Sequence, residues 1–323
     1  MDATNGPAVI ETHGLRRVFK TRARIVEAVA GVDLTVNAGE IFGFLGPNGA
    51  GKTTTLRMLA TLMPPSGGTA RVAGCDLLTQ PGEIRNRIGY VGQAGGADRE
   101  ITGRRELVFQ GRLYGMSSVA AKKRAAELIE MLELEVCADR AGSTYSGGQK
   151  RRLDIGLGLV HDPQLLFLDE PTTGLDPQSR ARVWDEVRRM HERGTTVFLT
   201  THYLDEADAL CDRIAIIDYG KIVAQDTPEK LKRAVAGDVV TLSVAGEQQR
   251  ALDVLKDQPF VRESRLEEGS ILLYVDRGEV AMPAILRLLD TAGMQLMTIG
   301  LHRPSLDDVF LRQTGRSLRE TAA

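Results

Sequence analysis

The 323-residue sequence predicts an α/β domain followed by a smaller α+β domain. Two observations support this. Short β-branched and apolar runs bounded by glycine, proline or charged residues alternate with helical patterns, as in a parallel sheet covered by helices. After about residue 236 the pattern changes to alternating strands separated by two helices. The length also exceeds that of a typical single domain, so two domains are expected.

The first domain is predicted at 8–236. Its buried strands are predicted at Ile41–Leu45, Leu165–Leu168, Thr195–Thr200 and Ile214–Asp218. The helices that follow the first three are predicted at Thr53–Met63, Gln178–Arg193 and Tyr203–Cys211. Between about 99 and 159 the pattern is mainly helical, with an amphipathic stretch at Val119–Leu134, which predicts a helical insertion in the α/β core.

The second domain is predicted at 237–315, before a tail at 316–323. Its strands are predicted at Val239–Val244, Phe260–Leu266, Ile271–Val275 and Met294–Ile299. Its helices are predicted at Gln248–Lys256 and Val280–Ala292. The order βαββαβ predicts a ferredoxin-like fold.

Composition limits the classes of function. A net charge of -2 gives no basic excess, so no nucleic-acid partner is expected. Three distant cysteines, Cys75, Cys137 and Cys211, indicate reduced thiols and neither a disulfide scaffold nor a zinc site. The first residues lack the pattern of a signal peptide, and no apolar run approaches the roughly 20 residues of a spanning helix.

A glycine-rich stretch between a predicted strand and a predicted helix matches G-x-x-x-x-G-K-[ST]. Backbone N–H groups of such a loop turn towards phosphate oxygens at the positive end of a helix. The candidate nucleotide-binding residues are Gly46, Pro47, Asn48, Gly49, Ala50, Gly51, Lys52, Thr53 and Thr54. Lys52 would hold the β- and γ-phosphates and Thr53 a magnesium ion.

The run Leu165–Glu170 predicts an apolar strand that ends in two carboxylates. Asp169 at the strand tip suits a magnesium ligand, and Glu170 is free to orient and polarise an attacking water molecule. Together with the phosphate loop, this pair predicts nucleotide hydrolysis.

The tetrapeptide Ser146–Gln149, S-G-G-Q, resembles the signature of ATP-binding-cassette (ABC) proteins. Gln93 resembles the family's glutamine loop, Gly174–Asp176 the loop that crosses its dimer, and His202 its switch histidine. The resemblance covers roughly residues 8–235 and implies an ABC-type P-loop NTPase with ATP and Mg²⁺ as cofactors. The catalytic residues it implies are Glu170, His202, Lys52 and Gln93. The magnesium ligands it implies are Thr53, Gln93 and Asp169.

The resemblance also implies a head-to-tail homodimer that forms in ATP. Ser146, Gly147, Gly148 and Gln149 would present a helix N-terminus to ATP bound by the opposite subunit, with Asp176 at the seam. Phe19 would stack on adenine, although an aromatic residue on an N-terminal strand is equally expected in the core.

The sequence departs from the signature pattern at two places. Tyr145 replaces the usual leucine, and Gly156-Leu-Gly158 replaces the small/basic pattern of the following helix. Tyr145 is not expected to touch phosphate. Arg151 and Arg152 are predicted to form a solvated helix face. No function is assigned to the remaining histidines, which are His13, His161, His191 and His302.

The C-terminal segment Leu301–Leu311, followed by Thr314-Gly315, resembles the ending of daunorubicin-resistance-type drug exporter ATPases. Ala141–Gly148 and Arg112–Gly115 resemble the same subfamily. The resemblance implies a separate transmembrane permease, a peripheral location at the cytoplasmic face of the membrane, and export of hydrophobic drugs. The Gly-rich, charged segment Gln93–Glu106 is predicted to be a flexible surface that couples to the permease.

Two other functions stay open. Export of a lipid or polysaccharide differs only in cargo. A soluble ABC ATPase acting on ribosomes or DNA is the other alternative, but a single cassette without a long heptad repeat is unlike those relatives.

The end of the chain predicts a short capped helix. Ser305 can cap it, with Asp307 and Asp308 in its first turn. Its apolar face, Leu306, Val309 and Phe310, either closes the small domain or docks on the partner subunit.

Overall fold

A computed structural model describes residues 6–20, 25–267, 270–302 and 304–314. The predicted tail at 316–323 therefore lies outside the described residues, as do Gly315 and Arg303. The chain divides into two compact units between Gln225 and Asp226. Over these ranges the first unit contains two sheets and the second contains one, and each unit has its own buried core. Among the described residues, no helix combines the length and the apolar character needed to cross a membrane.

The first unit contains the elements of the predicted α/β domain. Its strands are β1 (Ala8–Lys20), β2 (Ile25–Asn37), β3 (Ile41–Leu45), β4 (Gly67–Val72), β5 (Cys75–Asp76), β6 (Ile88–Val91), β7 (Leu165–Asp169), β8 (Thr196–Thr201), β9 (Arg213–Asp218) and β10 (Lys221–Asp226). Its helices are α1 (Lys52–Leu59), α2 (Pro81–Arg87), α3 (Gly103–Leu113), α4 (Ser118–Met131), α5 (Gly147–Leu159), α6 (Pro177–Glu192) and α7 (Leu204–Leu210), with a 3₁₀ turn at Gly142–Thr144.

The described strands of this unit form two sheets. An antiparallel sheet has the order β2-β1-β4-β5, and the central sheet has the order β10-β9-β3-β8-β7-β6. Strands β9, β3, β8, β7 and β6 pair in parallel. Leu45 lies opposite Thr201, and Asp169 lies opposite Thr200. The carboxyl ends of β3, β7 and β8 therefore meet at one edge, where parallel α/β sheets bind ligands.

The central sheet is buried on both faces, as the continuous apolar runs predict. Every residue of β3, β7 and β8 is buried. Phe198 lies at the centre, and its ring centroid is 5.6 Å from that of Phe42, 5.7 Å from that of Phe44 and 5.6 Å from that of Phe167. These four rings contact one another in the core beside the three strands that carry them.

The helical insertion comprises α3, α4 and α5. Each helix begins at a hydroxyl cap: Thr102 accepts from Arg105 N, Ser117 from Ala120 N, and Ser146 from Gln149 N. Gly156 lets α5 pack closely, because a Cβ there would lie 2.8 Å from Leu132 Cδ1. The glycines that depart from the family pattern therefore have a packing role.

The second unit has the predicted ferredoxin-like order. After α8 (Pro228–Ala236) come β11 (Asp238–Val244), α9 (Gln248–Leu255), β12 (Val261–Glu267), β13 (Ser270–Val275), α10 (Gly278–Thr291), β14 (Leu296–His302) and α11 (Leu306–Thr314). The strand order is β12-β13-β11-β14, and all pairs are antiparallel. Alternate residues Val240, Leu242 and Val244 point into a core that also contains Ile285 and Leu289.

Helix α11 closes this unit against α8. Ser305 Oγ accepts from Asp308 N at 3.3 Å, and Asp308 Oδ2 accepts from Ser305 N at 2.7 Å, which confirms the predicted cap. Leu306, Val309 and Phe310 are buried. Docking of this apolar face on a partner subunit is therefore wrong as an expectation, because the face is already covered within the chain.

A charged cluster joins α6 to the end of α4. Arg189 Nη1 lies 3.1 Å from Glu186 Oε1 and 3.3 Å from Glu133 Oε1. Glu186 is 2% exposed, and its Oε2 has no hydrogen-bond partner among the described residues. Burial raises the pKa of Glu186 to about 7, against the opposing charge of Arg189.

The first prediction concerns the cluster of four aromatic rings around Phe198. Phe198→Ala should lower the free energy of unfolding by about 3–5 kcal/mol, since it opens a cavity at a fully buried position that three other aromatic rings surround. The matched control is Phe109→Ala on α3, whose side chain is 58% exposed and whose removal should change stability by less than about 0.5 kcal/mol. Urea titrations would measure both, and equal effects would contradict this account of the core.

The second prediction concerns pH. Between the ordinary pKa of 4.5 and about 7, the unfolded chain has lost the Glu186 proton while the folded chain keeps it, so stability falls as pH rises. Glu186→Gln has no carboxyl group at this position and so lacks this pH-dependent decrease in stability. The free energy of unfolding of the variant, minus that of wild type, should rise from pH 4.5 to about 7 and level off above that pH. Urea titrations at several pH values would test this, and a constant difference would contradict it.

Candidate active site

The loop between β3 and α1 depends on glycine for two separate reasons. Gly49 and Gly51 have φ angles of 80° and 105°, which other residues rarely adopt. A Cβ on Gly46 would lie 2.3 Å from Ile217 O, and one on Gly51 would lie 2.4 Å from Ala28 O. The surrounding chain therefore fixes the loop shape, and α1 begins directly behind it at Lys52.

Lys52 lies at the centre of this loop and is 4% exposed. Its Nζ donates to Gly46 O at 2.7 Å and to Pro47 O at 3.1 Å, and it lies 3.3 Å from Glu170 Oε1. Burial lowers the pKa of Lys52, and the charges of Glu170 and Asp169 partly offset this effect. The loop thus combines a buried cation with a helix N-terminus, the two features that attract phosphate.

Asp169 ends β7 between two hydroxyl groups. Its Oδ1 accepts from Thr53 Oγ1 at 2.9 Å and from Thr200 Oγ1 at 2.7 Å. Its Oδ2 is buried and has no hydrogen-bond partner among the residues that the structure describes. One carboxylate oxygen at the strand tip is therefore available as an acceptor beside Thr53.

Glu170 is the residue on which the other candidates converge. Its Oε2 accepts from Gln93 Nε2 at 3.0 Å and from Thr173 Oγ1 at 3.1 Å, and lies 3.3 Å from His202 Nδ1. Burial alone would raise the pKa of Glu170, but contact with His202 and the charge of Lys52 outweigh it and lower the pKa to about 2. Glu170 is therefore ionised at neutral pH.

The structure thus brings Lys52, Gln93, Glu170 and His202 together. The cleft around them is lined by Ala28, Asn48, Gly49, Gly51, Lys52, Thr53, Thr54, Gln93 and Glu170. Of the remaining loop residues, Ala50 is buried and accepts from Gly220 N at 2.9 Å.

The signature residues lie on a different surface. Ser146 and Gln149 form a reciprocal capping box at the start of α5. Asp176 caps α6 and accepts from Ser179 Oγ at 2.6 Å. A Cβ on Gly148 would lie 2.8 Å from that same hydroxyl, and Gly147 lies near Leu175. The signature and the Gly174–Asp176 loop therefore pack together, but they do not line the cleft that contains Lys52.

Phe19 is partly exposed on β1, opposite Val26 of β2. The guanidinium of Arg17 lies 4.9 Å from the centroid of its ring. Phe19 lies outside the core cluster of buried residues, so the alternative of a core aromatic is not supported. Ala28, two residues beyond Val26, lines the phosphate cleft.

Sequence reasoning was wrong about Arg151 and Arg152. These side chains are 6% and 5% exposed, so they do not form a solvated face. Arg152 Nη1 donates to Leu132 O at 2.7 Å, and Arg151 donates to backbone carbonyls beside the cleft. The apolar residues on every side of α5 were the available signal that this helix is buried all round.

Two further residues near the site were not predicted to have structural roles there. Thr200 links the two carboxylate positions, since it donates to Asp169 and accepts from Glu170 N at 3.0 Å. Tyr145 donates its hydroxyl to Cys137 O at 2.8 Å and therefore anchors the signature to the segment between α4 and α5.

Comparison with known proteins follows the division of the chain. The ABC transporter family profile matches residues 29–173. A profile described as ATP-binding protein DrrA1-3-like, C-terminal domain, matches residues 227–314. In an alignment 329 positions long, which spans 99% of this chain and 98% of the relative, the sequence is 46% identical to the daunorubicin/doxorubicin resistance ATP-binding protein DrrA of Streptomyces peucetius. The chain belongs to the ABC transporter ATP-binding proteins.

As an ABC ATPase, the chain binds ATP and hydrolyses it. It is also 46% identical to the daunorubicin resistance ATP-binding protein DrrA2 of Streptomyces coeruleorubidus, over 92% of this chain and 93% of that one. A solved structure of the ATP-binding cassette MJ0796, a dimer in a post-hydrolysis state with ADP and phosphate, covers 68% of this chain and 98% of that chain. The TM-score is 0.63 and the identity 25%.

The third prediction tests Thr200. Thr200→Val removes the hydroxyl at nearly constant volume and leaves Asp169 Oδ1 with one donor, so the free energy of unfolding should fall by about 1–3 kcal/mol. Thr200→Ser keeps the hydroxyl and is the matched control, with a loss of less than about 1 kcal/mol. Urea titrations would measure both, and equal losses would show that the hydroxyl contributes nothing.

Proposed function

We propose that this ABC ATPase is the ATP-hydrolysing subunit of an exporter of hydrophobic, antibiotic-type drugs. The observation that carries the proposal is similarity to the daunorubicin/doxorubicin resistance ATP-binding protein along the whole chain. The similarity includes the small domain at 227–314, not only the ATP-binding cassette. Similarity of the cassette alone would indicate ATP hydrolysis but not the transported substrate, since unrelated functions share that fold.

The transport path would belong to a separate transmembrane permease, with the ATPase held at the cytoplasmic face of the membrane. A groove beside Gln93, between β6 and the helical insertion, offers a surface for that partner. It is lined by Leu62, Tyr90, Gly92, Glu106, Gln110 and Tyr114, among others. Gln93 would thus connect the permease surface to the cleft, because it donates directly to Glu170.

The cleft fits Mg²⁺ as well as ATP. Thr53 Oγ1 and Asp169 Oδ2, to which no described residue donates a hydrogen bond, are oxygen ligands of the kind Mg²⁺ prefers, and Gln93 can supply a third oxygen. When bound, Mg²⁺ would neutralise charge on the phosphates. Lys52 would hold the β- and γ-phosphates, Phe19 would stack on adenine, and the ionised Glu170 would orient the attacking water with His202 beside it.

Two copies would act as a head-to-tail homodimer in ATP. Within one chain the signature and the phosphate cleft lie on different surfaces, so a second copy can bring its signature to the cleft. Ser146, Gly147 and Gly148 would then present the N-terminus of α5 to the partner's ATP. The dimeric structure of the MJ0796 cassette supports dimerisation of this fold.

The fourth prediction concerns the Glu170→Gln variant, expressed in the cells in which the protein naturally occurs. This variant should bind ATP and lower kcat at least about 100-fold, since the water loses its oriented base. Affinity purification from gently solubilised membranes in ATP should recover a multi-helix membrane protein. Lys52→Ala is the control, because it should lose nucleotide binding and with it ATP-dependent dimerisation.

Two results would contradict the proposal. Recovery of ribosomes or nucleic acid without a membrane protein would keep the ATPase chemistry and reject the exporter. If the permease is recovered, cells lacking the ATPase should accumulate daunorubicin, and wild type but not Glu170→Gln should restore efflux. If cells lacking the ATPase instead accumulate daunorubicin normally but export less lipid or polysaccharide, the transported substrate is a lipid or polysaccharide and not a drug.

A further inference from the structure

We propose that Arg151 and Asp154 on α5 are positioning residues for ATP hydrolysis, because together they fix the backbone around Gln93 and Glu170. The inference rests on the catalytic roles proposed above for Gln93 and Glu170. Neither Arg151 nor Asp154 belongs to the phosphate loop or lines the cleft around Lys52. Both act through backbone atoms and not through contact with nucleotide.

Arg151 spans the two segments that carry Gln93 and Glu170. Its Nε donates to Pro171 O at 2.8 Å and its Nη2 to Asp169 O at 3.1 Å, so it holds the chain on both sides of Glu170. Its Nη1 donates to Gly92 O at 2.7 Å, directly before Gln93. One guanidinium therefore sets the separation of the two segments.

The planar guanidinium makes this separation rigid. Its donors have a fixed fork geometry, so the three carbonyls cannot move independently without losing a hydrogen bond. Across this separation Gln93 Nε2 donates to Glu170 Oε2 at 3.0 Å. A shift of about 1 Å at such a pair is enough to lower a rate markedly.

Asp154 holds the far side of Gln93. One turn of α5 beyond Arg151, its Oδ1 accepts from Gly96 N at 2.7 Å and from Ala97 N at 2.8 Å. Gly95 permits this approach, because its φ is 73° and a Cβ there would lie 2.4 Å from Asp154 Oδ2. Gln93 is thus fixed through Gly92 on one side and through Gly96 and Ala97 on the other.

The charges of this pair support the same interpretation. Arg151 is 6% exposed, and the negative charges near it are those of Asp154, Asp169 and Glu206. A buried charge is retained only where opposite charge and hydrogen bonds offset its desolvation. Because α5 begins at the signature, a displacement of its N-terminus would reach Gln93 and Glu170 through these two side chains.

The fifth prediction compares Arg151→Met with Arg152→Met in the purified full-length chain. Arg152 is the matched control, since it is equally buried on the same helix but donates to Leu132 O and Glu133 O. Arg151→Met should lower kcat at least about tenfold while the nucleotide Kd changes less than about threefold. Arg152→Met should lower the melting temperature comparably and keep kcat within about threefold of wild type.

A double-mutant cycle shows how Arg151 acts. In the Glu170→Gln background, Arg151→Met should change the residual kcat by less than about twofold, because its effect passes through Glu170 and Gln93. Equal losses of kcat in Arg151→Met and Arg152→Met, or a raised Kd with unchanged kcat, would overturn the inference. A Glu170→Gln chain that hydrolyses ATP normally would instead contradict the role of Glu170 itself, and the inference with it.

Asp154 provides a second test that does not depend on folding of Arg151→Met. Asp154→Asn keeps an acceptor oxygen for Gly96 N and Ala97 N, whereas Asp154→Ala leaves both amides without it. We expect a kcat within about threefold of wild type for Asn and at least about tenfold lower for Ala, with the nucleotide Kd unchanged. Equal rates for the two variants would overturn the role of Asp154.

Discussion

The parallel pairing of β7 and β3 with β8 is the constraint on which the candidate site depends. Asp169 lies opposite Thr200, and Leu45 lies opposite Thr201. A shift of one residue in either register would separate Thr200 from Asp169 and turn alternate side chains to the other face. The aromatic rings around Phe198 belong to these same three strands, so the strands that form the core also position the site.

The sequence was sufficient to predict the parts of the site that follow strands. A glycine-rich loop or a pair of carboxylates after an apolar run has few structural alternatives, and the parallel sheet brings such ends together. The strand order β3-β8-β7 is not readable from the chain, because more than a hundred residues separate β3 from the other two strands. The ferredoxin-like order was predictable from period and spacing alone, since its elements follow each other directly.

The errors came from residues whose environment is set by distant parts of the chain. Arg151 and Arg152 look like a solvated pair by charge, but α5 is covered on all sides and their donors reach carbonyls of three other segments. The sequence pattern does not show what covers the apolar face of α11, whereas in the structure this helix packs against α8. In both cases the deciding contacts lie about twenty or more residues away, where a local pattern carries no information.

The same burial that hides these charges explains why the site contains so many of them. Lys52, Glu170, Asp169 and Arg151 are all less than a tenth exposed, and each has an opposite charge or a hydrogen bond to a backbone carbonyl. Removing one member leaves its partner desolvated and uncompensated, which costs more than the pair contributes. We therefore expect the loss of any one of these buried charged groups to disturb the others. Arg151 in particular constrains the site without contacting the nucleotide.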